Sequence, residues 1–256
     1  MAEAARIVDR IEPAPPFTQE DADRLNATYA GVDTATMLRD LLNSGAARRV
    51  AAVSSFGTES AVLLHLIADI DPTLPILFLD TGKMFPETLE YRDNLVSLLG
   101  LTDVRTLTPD REVLEAKDET GLRWSYDPDG CCEIRKVVPL GRALLGFDAS
   151  ISGRKGFQSS TRTGLPVFEI DEGRLKINPL SGWKKDNIEA YFDLQGLPRH
   201  PLEAQGYPSI GCAPCTSRVM PGEDPRAGRW RGWEKVECGI HGLTKPTDDP
   251  ANEPAF

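Results

Sequence analysis

The first half of the chain alternates short apolar runs with longer segments of helical spacing. Continuous runs of about four to eight apolar residues bounded by turn residues are typical of buried strands, whereas apolar positions three and four residues apart predict helices. Strands are predicted at 50–53, at 74–82 (LPILFLDTG) and at 102–109 (TDVRTLTP). Helices are predicted over 18–43, 60–70 and 86–100, the last with proline near its start and glycine as its stop.

The second half continues the same alternation before it becomes rich in proline and glycine. It predicts a helix from about residue 136, a strand at 148–152, a hairpin over 166–180 and a helix over 184–196. Strands that alternate with helices imply right-handed βαβ units. We therefore predict an α/β fold, a parallel twisted sheet flanked by helices. Residues 18–241 would form a single domain between a flexible lead-in, 1–17, and a flexible, mobile C-terminal tail, 242–256.

Charge and composition narrow the classes of partner. The 256 residues carry 29 Lys and Arg against 39 Asp and Glu, a formal net charge of −10, which disfavours nucleic-acid binding. No apolar run reaches the length of a membrane span, and the N-terminal MAEAARIVDRIEPAPPF lacks the apolar core of a signal peptide. We therefore expect a cytoplasmic protein that binds neither nucleic acid nor membrane. In the cytoplasm, cysteines usually bind metal or take part in catalysis rather than form disulfides.

Four of the five cysteines fall into two tight pairs. Cys131 and Cys132 are adjacent in DGCCEIRKV, and Cys212 and Cys215 form a CxxC in SIGCAPCTSR. Four thiols are the ligand set of one tetrahedral zinc ion or one iron–sulfur cluster. The adjacent pair fits the separate iron corners of a 4Fe–4S cluster more easily than a single ion, and structural zinc stays open as the alternative. Lys136, close to the adjacent pair, would offset the negative charge of such a cluster.

Cys238 is the cysteine that this assignment leaves over. It lies near a polar, Pro-rich end of the chain, and a thiol not needed for metal is a candidate nucleophile. A buried spectator cysteine is the alternative, because nearby basic and acidic residues have opposite effects on the thiol pKa. His241 is the histidine that we expect near the chemistry. His65, in an apolar helix, and His200, between arginine and proline, are expected to be structural.

Three segments predict a site for a small anion. SSFGTES (54–60) joins a strand to a helix with an electropositive N-terminus; Gly57 permits close backbone approach, and Ser54, Ser55 and Thr58 can donate hydrogen bonds. The segment is neither a Walker A loop nor a Rossmann fingerprint, and a helix cap without a ligand is the alternative. ISGRKGFQSSTR and DPRAGRWRGW are basic segments that suggest a small polyanion, or else a solvated charged face. Their cations are Arg154, Lys155, Arg162, Arg226, Arg229 and Arg231.

Together these segments resemble the assimilatory sulfonucleotide reductases, the adenylyl-sulfate and phosphoadenylyl-sulfate reductases. The matching motifs run from residue 54 to residue 241 in the family's order: SSFGTES, LDTG, CCEIRK, ISGRKGFQSSTR, GYPSIGCAPCTSR, GEDPRAGRWRGW and ECGIH. The resemblance implies an adenine-nucleotide-hydrolase-like fold related to the PP-loop ATP pyrophosphatases. Their loop is usually SGGxDS, and here its second glycine and aspartate are missing, which argues against ATP cleavage.

The resemblance also implies a mechanism. Cys238, the cysteine of ECGIH, would attack the sulfur of the sulfonucleotide and release AMP. Thioredoxin, or a glutaredoxin-like reductant, would then reduce the S-sulfocysteine and release sulfite. Family members with the four paired cysteines mostly use adenylyl sulfate, so a 4Fe–4S cluster on these cysteines and adenylyl sulfate as substrate are implied. The implied substrate-binding residues are Ser54, Ser55, Gly57, Thr58, Arg154, Arg162, Arg226, Arg229 and His241, with Lys136 supporting the cluster.

Other functions stay open at this point. A reductase for the 3′-phosphorylated substrate, or for both substrates, fits the SSFG segment equally well. An ATP-using PP-loop enzyme is disfavoured by the altered loop, and a zinc-stabilised binding module would contain zinc without iron. The sequence also leaves a homo-oligomer open.

Overall fold

The computed structural model describes residues 15–158 and 162–242. The strands are β1 (Val50–Ser54), β2 (Ile76–Leu79), β3 (Val104–Leu107), β4 (Ala149–Ser152), β5 (Phe168–Asp171) and β6 (Arg174–Ile177). The helices are α1 (Gln19–Thr28), α2 (Thr34–Asn43), α3 (Ser60–Ala68), α4 (Pro86–Leu99), α5 (Arg111–Lys117), α6 (Pro128–Cys132), α7 (Val138–Leu144) and α8 (Lys185–Gln195). Most of the predicted lead-in and tail, 1–14 and 243–256, lies outside the described residues, as does 159–161.

The six strands form one sheet in the order β3-β2-β1-β4-β6-β5. All neighbouring pairs are parallel except the β5–β6 hairpin, which is antiparallel. The predicted α/β fold with a parallel sheet and a hairpin is therefore confirmed. The chain leaves β1 toward β2 on one side, whereas β4 lies on the other side of β1. This change of direction opens a crevice at the carboxyl ends of β1 and β4, where such sheets bind ligands.

Alternate residues of the buried strand β2 face two separate cores. Ile76 and Phe78 belong to the larger core, which α1 to α4 and α8 cover, and Leu77 packs on the opposite face against α7. This alternation follows from the two-residue repeat of a strand. The smaller core also receives the partly buried Ile240, from near the C-terminal end of the described chain. A residue of the ECGIH motif is thereby fixed to the sheet.

The predicted helix over 18–43 is wrong as a single element, because the chain turns between α1 and α2. Gly31 there adopts a left-handed φ of 76°, which glycine reaches without steric cost. Asp33 then caps α2 by accepting a hydrogen bond from the Thr36 N–H at 3.0 Å. Phe17, at the end of the predicted lead-in, is buried, and its N–H donates to the carbonyl of Gly173 at 2.8 Å.

The predicted helix from about residue 136 starts earlier in the structure. It begins with α6 at Pro128, passes through a π-helical turn at Glu133–Val137 and continues as α7. Pro139 has no N–H to donate to the carbonyl four residues before it, so a regular α-helix is interrupted there. The short helix α5 is an element that the sequence pattern did not predict. No helix within the described part of the chain has the length and apolar character of a membrane span.

Candidate active site

The loop after β1 forms one wall of the crevice, and a buried aromatic ring fixes it. Phe56 adopts a left-handed φ of 48°, which is uncommon for a residue other than glycine. Its ring packs edge-on against Phe78 of β2, with the ring centroids 5.4 Å apart. Gly57, the predicted point of close approach, does not share this left-handed conformation. The sharp turn of the loop is therefore made by Phe56, and its burial holds that turn.

The predicted phosphate-binding hydroxyls differ in how far the protein already uses them. Ser54 is buried, and its Oγ accepts a hydrogen bond from the Phe56 N–H at 3.2 Å. Thr58 Oγ1 donates to the carbonyl of Pro208 at 2.9 Å, whereas Ser55 is exposed. At the start of α3, Glu59 makes no capping hydrogen bond with its side chain. The first N–H groups of this helix therefore have no side-chain cap.

A cavity of about 300 Å³ occupies the crevice. The loops after β1 and β4 line it together with segments from the last third of the chain. The predicted site residues in its wall are Ser54, Ser55, Gly57, Thr58, Lys136, Arg154, Arg162, Arg226, Arg229 and Cys238. His241 is the predicted substrate-binding residue that is not in this wall. The structure thus brings together residues from five separate motifs.

Several of the predicted cations are held by carboxylates or carbonyls. Arg154 forms an ion pair with Glu169, and burial, followed by the nearby charge of Arg162, lowers its pKa to about 10. Lys155 lies 3.0 Å from a carboxylate oxygen of Glu59. Arg229 Nη1 donates to the carbonyl of Ile210 at 3.1 Å. The cavity wall therefore carries dense positive charge whose geometry the protein already fixes.

The position of the Arg229 guanidinium is fixed by two neighbouring features of the sequence. Its guanidinium lies over the ring of Trp230, 4.5 Å from the centroid, an arrangement favoured by cation–π attraction. Any side chain at Gly211 would collide with this guanidinium. The Nε atom of Arg229 is buried and has no hydrogen-bond partner among the described residues. Glycine at this position of SIGCAPC therefore makes room for an arginine from a distant motif.

The cysteine segment, residues 235–241, is held by contacts along its length. Lys235 pairs with Asp129, and Glu237 pairs with Arg162 at 2.8 Å. Ile240 packs in the smaller core, and the carbonyl of His241 accepts a hydrogen bond from Lys176 at 2.7 Å. These contacts leave Cys238 half-buried in the cavity wall.

His241 is half-buried beside positive charge and does not line the cavity. Burial lowers its pKa well below the ordinary 6.5, and four cations nearby lower it further. These cations are Arg154, Arg162, Lys176 and Arg226. The lowered pKa favours the neutral imidazole, and the surrounding cations are those of the predicted anion site.

The two cysteine pairs meet beside the main cavity. Cys131, Cys132, Cys212 and Cys215 are all free thiols that line one small cavity. Burial raises the pKa of three of them, Cys131, Cys132 and Cys215, to about 11. Burial also acts to raise the Cys212 pKa, but Lys136, the hydroxyl of Thr81 and Arg229 together lower it. Four thiols held around one space match the ligand number of an iron–sulfur cluster.

The donor set bears on which group these thiols could hold. Within 15–158 and 162–242, no group of three or more His, Cys, Asp or Glu residues is arranged to hold a metal ion directly. Four thiols around one space are the ligand set of a 4Fe–4S cluster or of one zinc ion. The residues present therefore match either group in number and kind.

A buried network joins the two cysteine pairs. Arg135, three residues after Cys132, pairs with Asp118 at 2.6 Å, and its Nη1 donates to the carbonyl of Thr81 at 2.7 Å. The Thr81 hydroxyl lies 3.2 Å from Cys212 Sγ. Sequence reasoning missed this network. The arginine of CCEIRK and the threonine of LDTG both stand in motifs, but no local pattern indicates Asp118 as the partner.

Lys136 connects the cysteine cavity to the main cavity. It lines both cavities. Burial alone would lower its pKa, but negative charge on Cys212, Cys238 and Cys132 raises the pKa above its ordinary value. Trp230 also lines both cavities and was not predicted. One buried cation therefore lies between the candidate nucleophile and the four-cysteine site.

Comparisons with known proteins agree with this geometry. A family model described as the phosphoadenosine phosphosulfate reductase domain matches residues 49–218. An adenosine 5′-phosphosulfate reductase of Mesorhizobium japonicum is 47% identical over 236 residues, 92% of this chain and 93% of that protein. One from Chelativorans sp. is 51% identical over 192 residues, 75% of this chain and 78% of that protein.

Solved structures show the same fold. A phosphoadenylyl-sulfate reductase from Candida auris, in a phosphate complex, has a TM-score of 0.67 at 28% identity and covers 79% of this chain and 98% of its own. An FMN adenylyltransferase of Candida glabrata has a TM-score of 0.52 at 15% identity and covers 85% of each chain. The second similarity concerns the fold alone and agrees with the expected PP-loop-related architecture. The chain therefore belongs to the phosphoadenosine phosphosulfate reductase family of sulfonucleotide reductases, in its adenosine 5′-phosphosulfate reductase branch.

Proposed function

We propose that this protein reduces adenylyl sulfate (adenosine 5′-phosphosulfate) to sulfite and AMP in sulfate assimilation, with Cys238 as the nucleophile. The observation that carries the proposal is the shared cavity. Cys238, the loop after β1 and the arginines of two basic motifs line one space of about 300 Å³, a volume in the range of small-ligand sites. A nucleotide phosphosulfate bound there has a thiol and several cations within its reach.

The chemistry proceeds in two balanced steps. The Cys238 thiolate attacks the sulfonyl sulfur, the bond from that sulfur to the phosphate oxygen breaks, and AMP leaves with the bonding electrons. A thioredoxin thiolate then attacks Cys238 Sγ and expels sulfite, and the second thioredoxin thiol resolves the mixed disulfide. The dithiol supplies both electrons. Arg226 and Arg229, on the cavity wall, stabilise negative charge that develops on the leaving phosphate.

We assign the four paired cysteines to a 4Fe–4S cluster. Cys131, Cys132, Cys212 and Cys215 would hold it, and it would supply fixed charge beside the cavity. Lys136 is the residue of this chain that faces both the cluster thiols and Cys238. Its ammonium is a buried positive charge next to Cys238 that attracts an incoming anion. Iron and acid-labile sulfide analysis tests the assignment, because zinc without iron would contradict it.

Relatives named adenosine 5′-phosphosulfate reductase support adenylyl sulfate over its 3′-phosphorylated form. Glu59, Glu189 and Glu203 line the cavity, and Glu59 already pairs with the buried Lys155. A 3′-phosphate placed next to any of these carboxylates would be repelled by it. Like charges that are juxtaposed at a binding site give discrimination against the wrong ligand.

The test is sulfite release by anaerobically purified protein with excess thioredoxin. Adenylyl sulfate and its 3′-phospho form are compared at matched concentrations, and we expect a strong preference for adenylyl sulfate. The reverse preference would refute the substrate assignment and leave the mechanism standing. No sulfite from either substrate, with the iron content intact, would refute the proposed reaction.

Cys238→Ser separates the covalent mechanism from other routes. Serine keeps the shape of the side chain but is a far weaker nucleophile, so we expect loss of sulfite release and retained binding of AMP. Mass spectrometry of wild-type protein treated with substrate alone should show one sulfonate on the peptide that contains Cys238. Sulfite release by Cys238→Ser at the wild-type rate would contradict the mechanism.

The remaining assignments follow from the same proposal. Residues 18–241 act as one reductase domain, thioredoxin or a glutaredoxin-like protein is the reductant, and the reaction takes place in the cytoplasm. Five cysteines without a disulfide among the described ones support a reducing compartment.

A further inference from the structure

Glu237 occupies the paired N–H donors of Arg162, an arginine that the sequence predicts to bind substrate. Its two carboxylate oxygens accept hydrogen bonds from Nε and Nη2 of Arg162, at 2.9 and 3.0 Å. Nη1 of the same arginine donates to Gln158 at 2.8 Å. The side-by-side donors with which a guanidinium binds a carboxylate or phosphate in two-point fashion are therefore occupied by a residue of this chain.

Arg226 is drawn into the same arrangement. Its Nη2 donates to the carbonyl of Val236 at 2.7 Å and lies 3.5 Å from the Glu237 carboxylate. Glu237 therefore bridges two arginines from different basic motifs. Because Glu237 directly precedes Cys238, this bridge also fixes where the thiol lies.

We propose that Glu237 is a built-in competitor of the substrate anion: it holds Cys238 against the cavity by pairing with Arg162 and Arg226, and a bound phosphosulfate displaces it. This inference rests on the proposed function, because it takes the phosphosulfate as the anion. A carboxylate and a sulfate or phosphate oxygen pair both accept from the same guanidinium edge. The two cannot occupy the Nε and Nη2 donors of Arg162 together.

Displacement of Glu237 would loosen the cysteine segment without freeing it. At its other end, Lys176 still donates to the carbonyl of His241, and Ile240 stays in the smaller core. Cys238 lies between Glu237, which would be displaced, and Ile240 and His241, which stay in contact with the sheet. Entry of the anion is thereby coupled to a local movement of the thiol.

The experiment measures the binding of ADP to wild-type protein and to Glu237→Gln by calorimetry at fixed ionic strength. ADP places a second anionic group at the sulfate position but has no sulfonyl group to transfer. We expect Glu237→Gln to bind ADP at least about fivefold more tightly, within the usual range of coupling between linked equilibria. Weaker binding would show that Glu237 orients the arginines for the ligand and would overturn the inference.

The matched control is Glu223→Gln. Glu223 also pairs with an arginine, Arg231, at 3.1 Å, and it does not line the main cavity. The two variants make the same change of net charge in the same third of the chain. We expect Glu223→Gln to change ADP affinity by less than about twofold, because exposed charges are screened by salt. Equal tightening in both variants would refute specific competition.

A second readout follows the thiol itself. Iodoacetamide should label Cys238 faster in Glu237→Gln than in wild-type protein when no nucleotide is present, with the labelled peptide identified by mass spectrometry. An unchanged rate would refute the role of Glu237 in holding the thiol. ADP binding that is equal in wild-type protein and Glu237→Gln would overturn competition alone, whereas a wild-type protein that does not bind ADP would overturn the proposed function and this inference together.

Discussion

Replacement of Asp118 by asparagine should destabilise the protein strongly, because it removes one partner of a buried ion pair. The Asp118 side chain is fully buried, and that of Arg135 is 8% exposed. Asp118 Oδ2 accepts from Nε and Nη2 of Arg135 at 3.1 and 2.6 Å, while Oδ1 accepts from the Arg123 N–H at 2.8 Å. Asparagine can replace only one of these acceptor oxygens, so its amide N–H₂ would face the donors of Arg135.

The expected magnitude follows from the cost of an unpaired buried charge. Breaking a buried pair by removing one partner costs about 3–5 kcal/mol of unfolding free energy. At about 2–4 °C per kcal/mol for a chain of this size, Asp118→Asn should lower the unfolding midpoint by about 6–20 °C. Asp148→Asn is the control, because its partner Arg49 is 63% exposed. Such a pair contributes less than about 1 kcal/mol.

The assay is thermal unfolding of the anaerobically purified protein, followed by tryptophan fluorescence, with iron content measured in parallel. Because Asp118 belongs to the network that joins the cysteine pairs, retention of iron by the proposed cluster should fall with stability. A double replacement, Asp118→Leu with Arg135→Met, should recover much of the midpoint, because no charge is left unpaired. An Asp118→Asn midpoint within 2 °C of wild type would refute the reasoning.

The same pair gives a dependence on pH with a definite sign. Burial alone would raise the Asp118 pKa, but the Arg123 N–H and the charge of Arg135 lower it below the ordinary 3.8. A carboxyl whose pKa is lower in the folded state stabilises the fold above its unfolded pKa. The contribution of Asp118 is therefore complete at neutral pH, and it is lost as the pH falls below 3.8.

Two further predictions concern Lys136 and His200. Lys136→Ala should lower the rate of sulfite release, since the ammonium that faces Cys238 is lost; unchanged turnover with unchanged iron content would contradict its assigned role. His200 is 1% exposed, and burial lowers its pKa from 6.5 to about 4. As the pH falls, His200 is protonated in the unfolded state before it is protonated in the folded state. The free energy of unfolding should therefore fall by about 3 kcal/mol as the pH drops from 6.5 to 4. The contribution of His200 to this slope should be absent in His200→Gln, as measured by urea unfolding at several pH values.

The strand and helix alternation could be predicted because it depends on local periodicity. The four apolar residues of β2 are all buried, and a run of that kind is a strand in almost any surrounding. The turn between α1 and α2 was missed because the apolar spacing continues across it. The π-helical turn depends on Pro139 and on the packing of Arg135 and Lys136, neither of which alters the apolar spacing.

The candidate site could be predicted as a set of motifs but not as a set of contacts. Cys238 and the basic motifs have local signatures, so their membership of one cavity could be anticipated. The pairing of Glu237 with Arg162 joins residues 75 positions apart, and nothing in either neighbourhood specifies the other. From the sequence alone, Glu237 is only one of several charges near Cys238.

The π-helical turn at Glu133–Val137 holds one residue more than a regular helical turn would. Ile134, Arg135 and Lys136 are all buried in it, although consecutive residues of an α-helix point in directions about 100° apart. Deletion of one residue from this turn would restore a regular helix and leave Cys131 and Cys132 in phase with α7, because the extra residue is what the wider turn accommodates. The deletion would instead remove one of three consecutive buried side chains, so Arg135 or Lys136 would lose its place beside the cysteines. The extra residue therefore serves to bury these two cations rather than to orient the thiols.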